Sequence, residues 1–364
     1  MNLSVLLEES GLTGRGGAAF STATKVAATH DHRAGLIVNA CDGELGARKD
    51  GWVVEHHLAE LVSGASLVAR RRRVRFAAHR GSATASRLAA AGLDVLEAPP
   101  RYVSSEESSL ISLAHGGLAR PMTKKAPFVR GGADAAGHRV RPTVVLNAET
   151  VWRIDQVARL GSHWFRAYGT ALEPGPRLAS VNVGAVGGLV VESEAGVPLS
   201  SLFEQLGGFG GAQNLLIGGL GGVFVDRATA SGLTWSGADL APLGGSVGPG
   251  VIEALDPDEC PLDFVSRALT FAAGETAGQC GPCMFGLPAL ALDWSRLVAR
   301  PDAASFVAVQ TRAGLLPGRG ACRFPDGVAG FTRSALQIFG EHLDEHASGR
   351  CRVSERGASD ALVR

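Results

Sequence analysis

Short apolar runs alternate with amphipathic segments over the first half of the chain. Branched apolar residues bounded by glycine, proline or charged residues predict strands at 35–40, 74–78, 93–98 and 143–147. Between these runs, residues 53–68 and 106–114 carry apolar side chains at helical spacing. Strand–helix alternation is typical of a parallel sheet covered by helices, so we predict an α/β domain over residues 1–174.

The pattern changes twice after this point. Residues 175–256 are β-rich, which predicts a compact α+β module with strands at 177–183, 189–192, 214–217 and 222–225 and a short helix near 199–206. Residues 257–352 lose the strand pattern, which predicts a small bundle with helices at 262–273, 287–298, 303–313 and 335–346. The polar residues 353–364 are expected to form a tail.

Composition narrows the possible functions. The 364 residues are enough for two or three domains with substantial cores. Lys+Arg and Asp+Glu both number 35, so no excess positive charge points to nucleic acid. The chain has no apolar run long enough to span a bilayer and no signal peptide, which predicts a cytoplasmic protein without a membrane span of its own. In that reducing compartment, six cysteines indicate metal binding or redox chemistry more than disulfides.

Three cysteines form an incomplete cluster motif. Cys280 and Cys283 flank Gly-Pro, and Cys322 follows at a distance, an arrangement that binds iron–sulfur clusters or other soft metals. An ordinary cluster run has another cysteine three residues earlier, where this chain has Ala277. Three thiolates could hold a 3Fe–4S cluster, or a 4Fe–4S cluster with a different fourth ligand: Glu275, Cys260, Cys351, a small thiol or water. Zinc on the same cysteines, or no metal at all, are the alternatives.

A glycine-rich loop stands near the N-terminus and leads to Phe20 and Lys25. It comprises Gly14, Arg15, Gly16 and Gly17. Backbone N–H groups in such a loop can bind a phosphate, and the missing side chains allow a ring system to approach. A glycine-rich turn without any ligand is the alternative.

Polar residues follow the predicted strands of the first domain. Asn39, Asp42 and Glu44 come after the first strand and Asn147 ends the last, at the edge where open α/β sheets usually bind ligands. An Asx turn would explain the first group equally well.

Two further segments of this domain carry side chains suited to ligand binding. Glu106 and Glu107 are either helix-capping residues or acceptors for ribose and amide groups. Lys125 and Phe128 lie in a Pro-bounded loop that suits a dinucleotide phosphate and a stacked base, or that is simply a solvated loop.

Together and in this order, these segments resemble the family of flavin-bearing 51-kilodalton subunits of respiratory complex I. The family also occurs in soluble NAD-linked hydrogenases and formate dehydrogenases. Gly-Arg-Gly-Gly-Ala-Ala-Phe from residue 14 is similar to the family's Gly-Arg-Gly-Gly-Ala-Gly-Phe, and Asn-Ala-Cys-Asp-Gly-Glu from residue 39 to its Asn-Ala-Asp-Glu-Gly-Glu. The segments at 105–110, 125–128 and 141–150 also match. The β-rich middle and the helical end are similar to the family's two further modules, so the resemblance covers nearly the whole chain.

The resemblance implies a Rossmann-like FMN domain, a ubiquitin-like soluble-ligand-binding module and a helical cluster domain. By position, the residues implied to hold FMN are Gly14, Gly16, Lys25, Asn39, Asp42, Glu106 and Asn147, with Arg15 and Gly17 completing the loop. Those implied to hold NAD(H) are Phe20, Glu44, Glu107, Lys125 and Phe128, of which Glu44 and Glu107 would orient the nicotinamide end. Cys280, Cys283 and Cys322 match three of the four cluster cysteines.

The chain also departs from the family pattern. Cys41 replaces an Asp, Asp42 a Glu, Ser105 a Gly, Leu146 an Asn and Ala277 the first cluster cysteine. The replacement of Glu by Asp shortens the reach of the carboxylate by one methylene.

The resulting expectation is an NAD(P)H-oxidising FMN protein that passes electrons through the cluster to a partner. The acceptor would be a ferredoxin-like protein or a membrane reductase, which would place this chain in the cytoplasm or at the inner face of a membrane through its partners. The alternatives are a non-catalytic assembly or binding module and a cluster-free FMN diaphorase.

Overall fold

The computed structural model describes residues 2–123, 126–133, 137, 139–184 and 187–351. Lys125 lies outside these residues, so the prediction for it stays a prediction. The strands are β1 (Gly35–Asn39), β2 (Val74–His79), β3 (Val95–Ala98), β4 (Gly132–Ala133), β5 (Arg139–Val140), β6 (Thr143–Asn147), β7 (Arg177–Val183), β8 (Gly187–Ser193), β9 (Asn214–Ile217), β10 (Val223–Asp226) and β11 (Val251–Ala254).

Helices account for most of the remaining regular structure. They are α1 (Leu3–Ser10), α2 (Thr22–Asp31), α3 (Lys49–His56), α4 (Leu58–Ala69), α5 (Ala83–Ala90), α6 (Glu107–Ala114), α7 (Ala148–Arg166), α8 (Arg227–Gly232), α9 (Gly237–Leu240), α10 (Pro261–Gly274), α11 (Leu287–Ala299), α12 (Ala303–Leu315), α13 (Phe324–Ile338) and α14 (Gly340–Ala347). The chain is therefore a mixed α/β protein. Among the described residues, no helix is both long and apolar enough to cross a membrane.

The first sheet is parallel, as the strand–helix alternation predicts. Its order is β3-β2-β1-β6, and all four strands were predicted from their apolar runs. β1 and β6 pair in a register that places Asn39 directly opposite Asn147. The carboxyl ends of these two strands therefore present their amide side chains at the same edge of the sheet.

The helix predicted over residues 53–68 is instead two helices, α3 and α4. His57 separates them with φ −134° and ψ 33°, and its ring stacks on Trp152 with centroids 4.2 Å apart. Helical periodicity continues through the break because both helices bury apolar side chains against the same core. The prediction missed the bend because the ring that His57 stacks on belongs to α7, far away in the sequence.

The second sheet is mixed, in the order β10-β9-β11-β7-β8. β7 and β8, both predicted as strands, pair as an antiparallel hairpin, while β11 pairs in parallel with β7 and antiparallel to β9. The segment 199–206 is a 3-10 helix. β11 was not predicted, although it occupies the centre of the sheet, because its four residues are too few to show a period.

The C-terminal part is helical, but the helix predicted over 335–346 begins earlier and is broken. α13 ends at Ile338 and α14 begins at Gly340; Phe339 between them is buried and packs on Phe224 of β10, with ring centroids 4.9 Å apart. Phe224 also contacts Phe331 of α13. The second sheet and the helices therefore share one apolar core.

Candidate functional site

A cavity of about 960 Å³ lies at the carboxyl edge of the parallel sheet. Its volume is at the upper end of the range for small-molecule sites, roughly 300–1,000 Å³. Three stretches of the chain line it: residues between 14 and 150, the loops around Gly218 and Gly248, and the segment 318–327. The predicted site residues that line it are Gly14, Gly16, Gly17, Phe20, Lys25, Asn39, Asp42, Glu44, Glu106, Glu107, Asn147 and Cys322.

The glycine loop closes one wall of this cavity. A Cβ atom on Gly16 would lie 3.3 Å from Cβ of Asn147, so the loop backbone lies directly against the tip of β6. Gly17 has φ +103°, a backbone conformation that residues other than glycine rarely adopt. These two glycines therefore leave the backbone exposed to whatever occupies the cavity.

Arg15 differs from the prediction that it belongs to the cofactor-binding surface. Its backbone N–H donates to Oγ1 of Thr150 at 2.8 Å, and its guanidinium donates to the carbonyls of Pro174 and Pro176. The side chain is buried and does not line the cavity. Burial lowers its pKa to about 10. Arg15 anchors the loop to the body of the protein, so its role is structural.

Asn39 and Asn147 both hold the edge of the sheet in place. Oδ1 of Asn39 accepts from the N–H of Cys41 at 3.1 Å, which is the predicted Asx turn, and Nδ2 donates to the carbonyl of Ser105 at 2.9 Å. Oδ1 of Asn147 accepts from the N–H of Glu149 at 3.1 Å and caps α7. Because both side chains also line the cavity, the turn and the ligand-binding interpretations are compatible.

A buried ionic cluster beneath the cavity was not predicted. Nζ of Lys49 donates to Oδ1 of Asp50 at 3.1 Å, to Oε2 of Glu149 at 2.9 Å and to Oδ1 of Asn147 at 3.1 Å. Burial by itself would lower the pKa of Lys49, but the charges of Asp50 and Glu149 raise it above its usual value. Lys49 is 2% exposed and lines the cavity. Lys49 and Asp50 follow Glu44 along the chain as a Lys-Asp pair does in the family pattern, and no other sequence signal pointed to this ionic cluster.

Asp42 binds the N-terminus of α3. Its Oδ1 accepts from the N–H of Asp50 at 2.9 Å and its Oδ2 from the N–H of Gly51 at 2.7 Å. Burial, followed by the charge of Asp50, raises its pKa to about 7. The shorter carboxylate that distinguishes this chain from the family pattern is thus used for helix capping at the wall of the cavity.

Glu44 connects the loop after β1 to the turn between β9 and β10. Oε2 accepts from the hydroxyl of Tyr102 at 2.6 Å, and Oε1 accepts from the N–H groups of Leu45 and Leu220, both at 2.9 Å. Burial raises the pKa of Glu44, although these hydrogen bonds oppose the shift. A carboxylate with both oxygens fixed in this way is a rigid acceptor at the cavity wall.

Glu106 and Glu107 begin α6, and both line the cavity. Glu106 is the N-cap: its Oε2 accepts from the N–H groups of Ser108 and Ser109 at 2.8 and 3.1 Å, and burial raises its pKa. Glu107 forms an ion pair of 3.5 Å with Lys25 of α2. Nζ of Lys25 also donates to the carbonyl of Val145 at 3.3 Å. The capping interpretation of this segment is therefore confirmed, and the second carboxylate is paired with a cation at the cavity wall.

The two predicted aromatic residues have opposite environments. Phe20 is 51% exposed and lines the cavity, so its ring face is accessible. Phe128 is 7% exposed and packs in an apolar cluster with Ile37 and Leu110. The prediction that Phe128 stacks on a base is therefore wrong for this conformation, because its ring is part of the core.

The three predicted cluster cysteines, Cys280, Cys283 and Cys322, are neighbours beside the cavity. Cys283 is in a π-helical turn at Pro282–Gly286, and burial, followed by the Cys280 thiol that hydrogen-bonds to it, raises its pKa to about 11. Burial also raises the pKa of Cys322 to about 11, and Cys322 lines the cavity. Ala277 is buried beside them, with its N–H directed at the Cys283 thiol.

Two of the predicted fourth ligands lie in another group. Cys260 and Cys351 cluster with His342 and His346. Among the described residues, this is the one set of His, Cys, Asp or Glu side chains close enough for a single ion, so the zinc alternative on Cys280, Cys283 and Cys322 is not supported. Glu275 accepts from the N–H of Tyr102 at 2.7 Å.

The residues present fit FMN and an iron–sulfur cluster. The glycine backbone at Gly16 and Gly17 leaves room that Cβ atoms would fill, beside amide and carboxylate groups suited to a flavin and a nucleotide. The donor set of three cysteines, with one of them at the cavity wall, suits a cluster of low nuclearity or one completed by another ligand.

Two family models match the chain. The Nuo51 FMN-binding domain matches residues 7–156, and the iron–sulfur binding region of NADH-ubiquinone oxidoreductase-F matches residues 263–346. The chain belongs to the family of flavin-bearing 51-kilodalton subunits of complex I. The resemblance inferred from the motifs is thus confirmed.

Similar proteins agree with this family over nearly the full length. One NADH-quinone oxidoreductase subunit of Streptomyces coelicolor is 27% identical over 96% of this chain and 84% of its own length. The mitochondrial NADH dehydrogenase (ubiquinone) flavoprotein 1 of Dictyostelium discoideum is 24% identical over 92% of this chain and 77% of its own length.

A solved structure shares the fold. An NAD+-reducing NiFe hydrogenase in its air-oxidised state superimposes with a TM-score of 0.79 at 23% identity, over 94% of this chain. The present chain spans 62% of that hydrogenase chain. The likeness establishes that the two chains share a fold.

Proposed function

We propose that this chain oxidises NAD(P)H with bound FMN and passes the electrons through an iron–sulfur cluster to a partner protein. The observation that carries the proposal is the position of Cys322. This cysteine lines the same cavity as Gly16, Asn39, Glu106 and Asn147. A cluster ligand at the wall of a nucleotide-sized cavity places the one-electron carrier next to the flavin site.

FMN would lie against the glycine loop and the tips of β1 and β6. FMN supplies the conversion of a two-electron hydride donor into single electrons, which the side chains of this protein cannot perform. Asn39 and Asn147 would fix the edge of the flavin ring. The positive charge of Lys49, which hydrogen-bonds to Asn147, would favour electron density on that ring. Gly14, Gly16, Gly17, Lys25, Asp42 and Glu106 would complete the site.

NAD(P)H would occupy the outer part of the cavity. Glu44, held by Tyr102 and Leu220, would accept hydrogen bonds from the nicotinamide end, and Glu107 would do so from a ribose. Phe20 offers an accessible aromatic face for a base. Lys125 stays a candidate for the pyrophosphate. These residues bind and orient, and no protein base is needed for hydride transfer.

The cluster would be held by Cys280, Cys283 and Cys322. With Ala277 in the fourth position, a 3Fe–4S cluster or a 4Fe–4S cluster completed by water, a small thiol or Glu275 fits the donor set. Cys260 and Cys351 are not candidates because they belong to another group.

Ala277 also favours a second candidate function, a diaphorase that uses FMN without a cluster. An alanine removes one of four ligands and lowers the affinity for iron. A diaphorase of this kind would reduce dyes with NADH but would transfer no electrons to a partner that needs the cluster.

Domain organisation and partners follow the same proposal. The division is residues 1–174 for FMN and NAD(P)H, 175–256 for a ubiquitin-like module, 257–352 for the cluster and 353–364 as a tail. The parallel pairing of β7 with β11 in the middle of the second sheet supports the module. Met284 and Phe285 are 53% and 71% exposed directly after Cys283, where an acceptor protein would approach. The chain would work in the cytoplasm or at the inner face of a membrane.

Anaerobic purification with FMN, iron and sulfide quantified together tests the proposal. One FMN with three or four irons per chain, and bleaching of both chromophores by NADH, is the expected result. Yellow, iron-free protein that reduces dyes would identify the diaphorase. Colourless protein that does not bind added FMN would overturn the proposal.

A further inference from the structure

Four side chains from separate parts of the helical region converge at a second site. Cys260 is the N-cap of α10, His342 and His346 lie one turn apart on α14, and Cys351 follows that helix. Sγ of Cys260 is 3.4 Å from Nε2 of His342 and 3.6 Å from Nε2 of His346. Sγ of Cys351 is 3.8 Å from Nε2 of His342. All four ligand atoms lie within 4.8 Å of one another.

These separations match a single tetrahedral ion. Zinc bonds of about 2.3 Å to sulfur and about 2.0 Å to nitrogen place neighbouring sulfur and nitrogen ligands about 3.5 Å apart. A two-iron cluster with two cysteines and two histidines would instead separate the thiols from the imidazoles, which bind different irons. Two thiolates with two imidazoles in a tetrahedral arrangement are typical of structural zinc.

The surroundings of His342 support a metal site. Its Nδ1 lies 3.3 Å from Oε2 of Glu345, which directs Nε2 towards the thiols. A carboxylate behind a ligating imidazole fixes the ring orientation and increases its basicity. Cys260 is buried and the other three ligands are partly buried, so the protein supplies four ligands with little access for a substrate.

We propose that Cys260, His342, His346 and Cys351 bind one zinc ion that ties the start of α10 to the end of α14. The ion would close a chain segment of more than 80 residues, because Cys260 and His342 are 82 positions apart. That segment includes Cys280, Cys283 and Cys322. The zinc is therefore a structural clasp around the proposed cluster site, and it does not depend on whether FMN or the cluster is bound.

The test is metal analysis of the anaerobically purified full chain. We expect one zinc per chain, with X-ray absorption at the zinc edge showing two sulfurs at about 2.3 Å and two nitrogens at about 2.0 Å. His346→Gln and Cys351→Ser should lose the zinc and melt at a lower temperature. Glu345→Gln should weaken zinc binding by about 10–100-fold.

Matched controls separate this site from the cluster. His163→Gln, at an exposed histidine of α7, and Cys41→Ala should keep the zinc. Cys280→Ser should lose iron and keep zinc, so failure of the proposed function would leave this result intact. Zinc below about one-tenth per chain after incubation with Zn²⁺, zinc retained in both ligand variants, iron in its place, or a Cys260–Cys351 disulfide would each overturn the proposal. The absorption measurement on the unaltered protein decides the matter even if a variant does not fold.

Discussion

The hydroxyl of Tyr102 donates a hydrogen bond of 2.6 Å to Oε2 of Glu44. The ring of Tyr102 packs on Phe324, two residues beyond Cys322, with centroids 4.6 Å apart. Glu44 in turn accepts from the N–H of Leu220. One tyrosine thus connects the cavity wall at Glu44 to the segment that carries Cys322, a proposed cluster ligand.

Tyr102→Phe should raise the pKa of Glu44, because the lost hydrogen bond is one of those that oppose the effect of burial. We expect the acid limb of the pH profile for NADH oxidation to move to higher pH, and stability to fall by about 1–3 kcal/mol. Dye-reduction kinetics across pH and urea denaturation measure the two effects. Tyr168→Phe, at the other and exposed tyrosine, should change neither. If the acid limb of the pH profile does not move in Tyr102→Phe, Glu44 does not take part in nucleotide binding.

Gly16→Ala should reduce bound FMN. The added methyl would lie 3.3 Å from Cβ of Asn147, at the position where the loop backbone meets the cavity. FMN per chain after dialysis is the measurement, and we expect a loss of at least tenfold in affinity. Gly314→Ala, in α12 with open space around it, should keep FMN and stabilise the helix by about 1 kcal/mol. Equal FMN content in both variants would contradict the assigned role of the loop.

Cys322→Ala should remove iron and sulfide but leave FMN and NADH-dependent dye reduction. Two thiolates do not hold a cluster, whereas the flavin site keeps its other contacts. Iron analysis together with low-temperature EPR of the NADH-reduced protein measures the loss. Cys41→Ala is the control, since Cys41 packs in an apolar cluster away from the cavity lining. Full iron content in Cys322→Ala would mean that another residue binds the cluster.

Ala277→Cys should complete the set of four thiolates. Ala277 is buried, and its N–H is directed at the Cys283 thiol, so a thiol added here lies close to the other ligands. We expect four irons per chain and a cluster that survives longer in air than that of the unaltered protein. If the EPR signal and the lifetime of the cluster in air both stay as in the unaltered protein, Ala277 does not occupy the missing ligand position.

Asp42→Asn should change how stability depends on pH. Burial and Asp50 raise the pKa of Asp42 from 3.8 to about 7, so the folded state keeps a proton that the unfolded chain releases. The contribution of this carboxyl to stability is present below pH about 4 and is lost as the pH rises to about 7. The advantage of the unaltered protein over Asp42→Asn should therefore shrink across this range, as measured by urea denaturation. An advantage that grows with pH would show that the two backbone hydrogen bonds keep this carboxyl ionised.

The parallel sheet and the residues at its edge could be predicted because their signals are local. Apolar runs identified β1 and β6, and polar residues at their ends identified Asn39 and Asn147. The helix interruptions at His57 and Phe339 could not be predicted. Each of these residues packs on a ring from a distant element, His57 on Trp152 and Phe339 on Phe224.

The candidate site shows the same division. Phe128 and Arg15 have residue types that suit nucleotide binding, and only packing shows that one lies in the core and the other anchors a loop. Lys49 was not predicted as a site residue, because its burial depends on ion pairs with Asp50 and, far away in the sequence, with Glu149.

By itself, the sequence determined the periodic elements, the glycine loop and the Cys-x-x-Cys spacing, because each depends on backbone geometry over a few residues. Only the tertiary structure decided that Cys322 lines the cavity at the carboxyl edge of the parallel sheet and that Cys260 lies beside His342, His346 and Cys351. Those contacts are between residues far apart in the sequence. Their side-chain positions are fixed by how the sheets and helices pack.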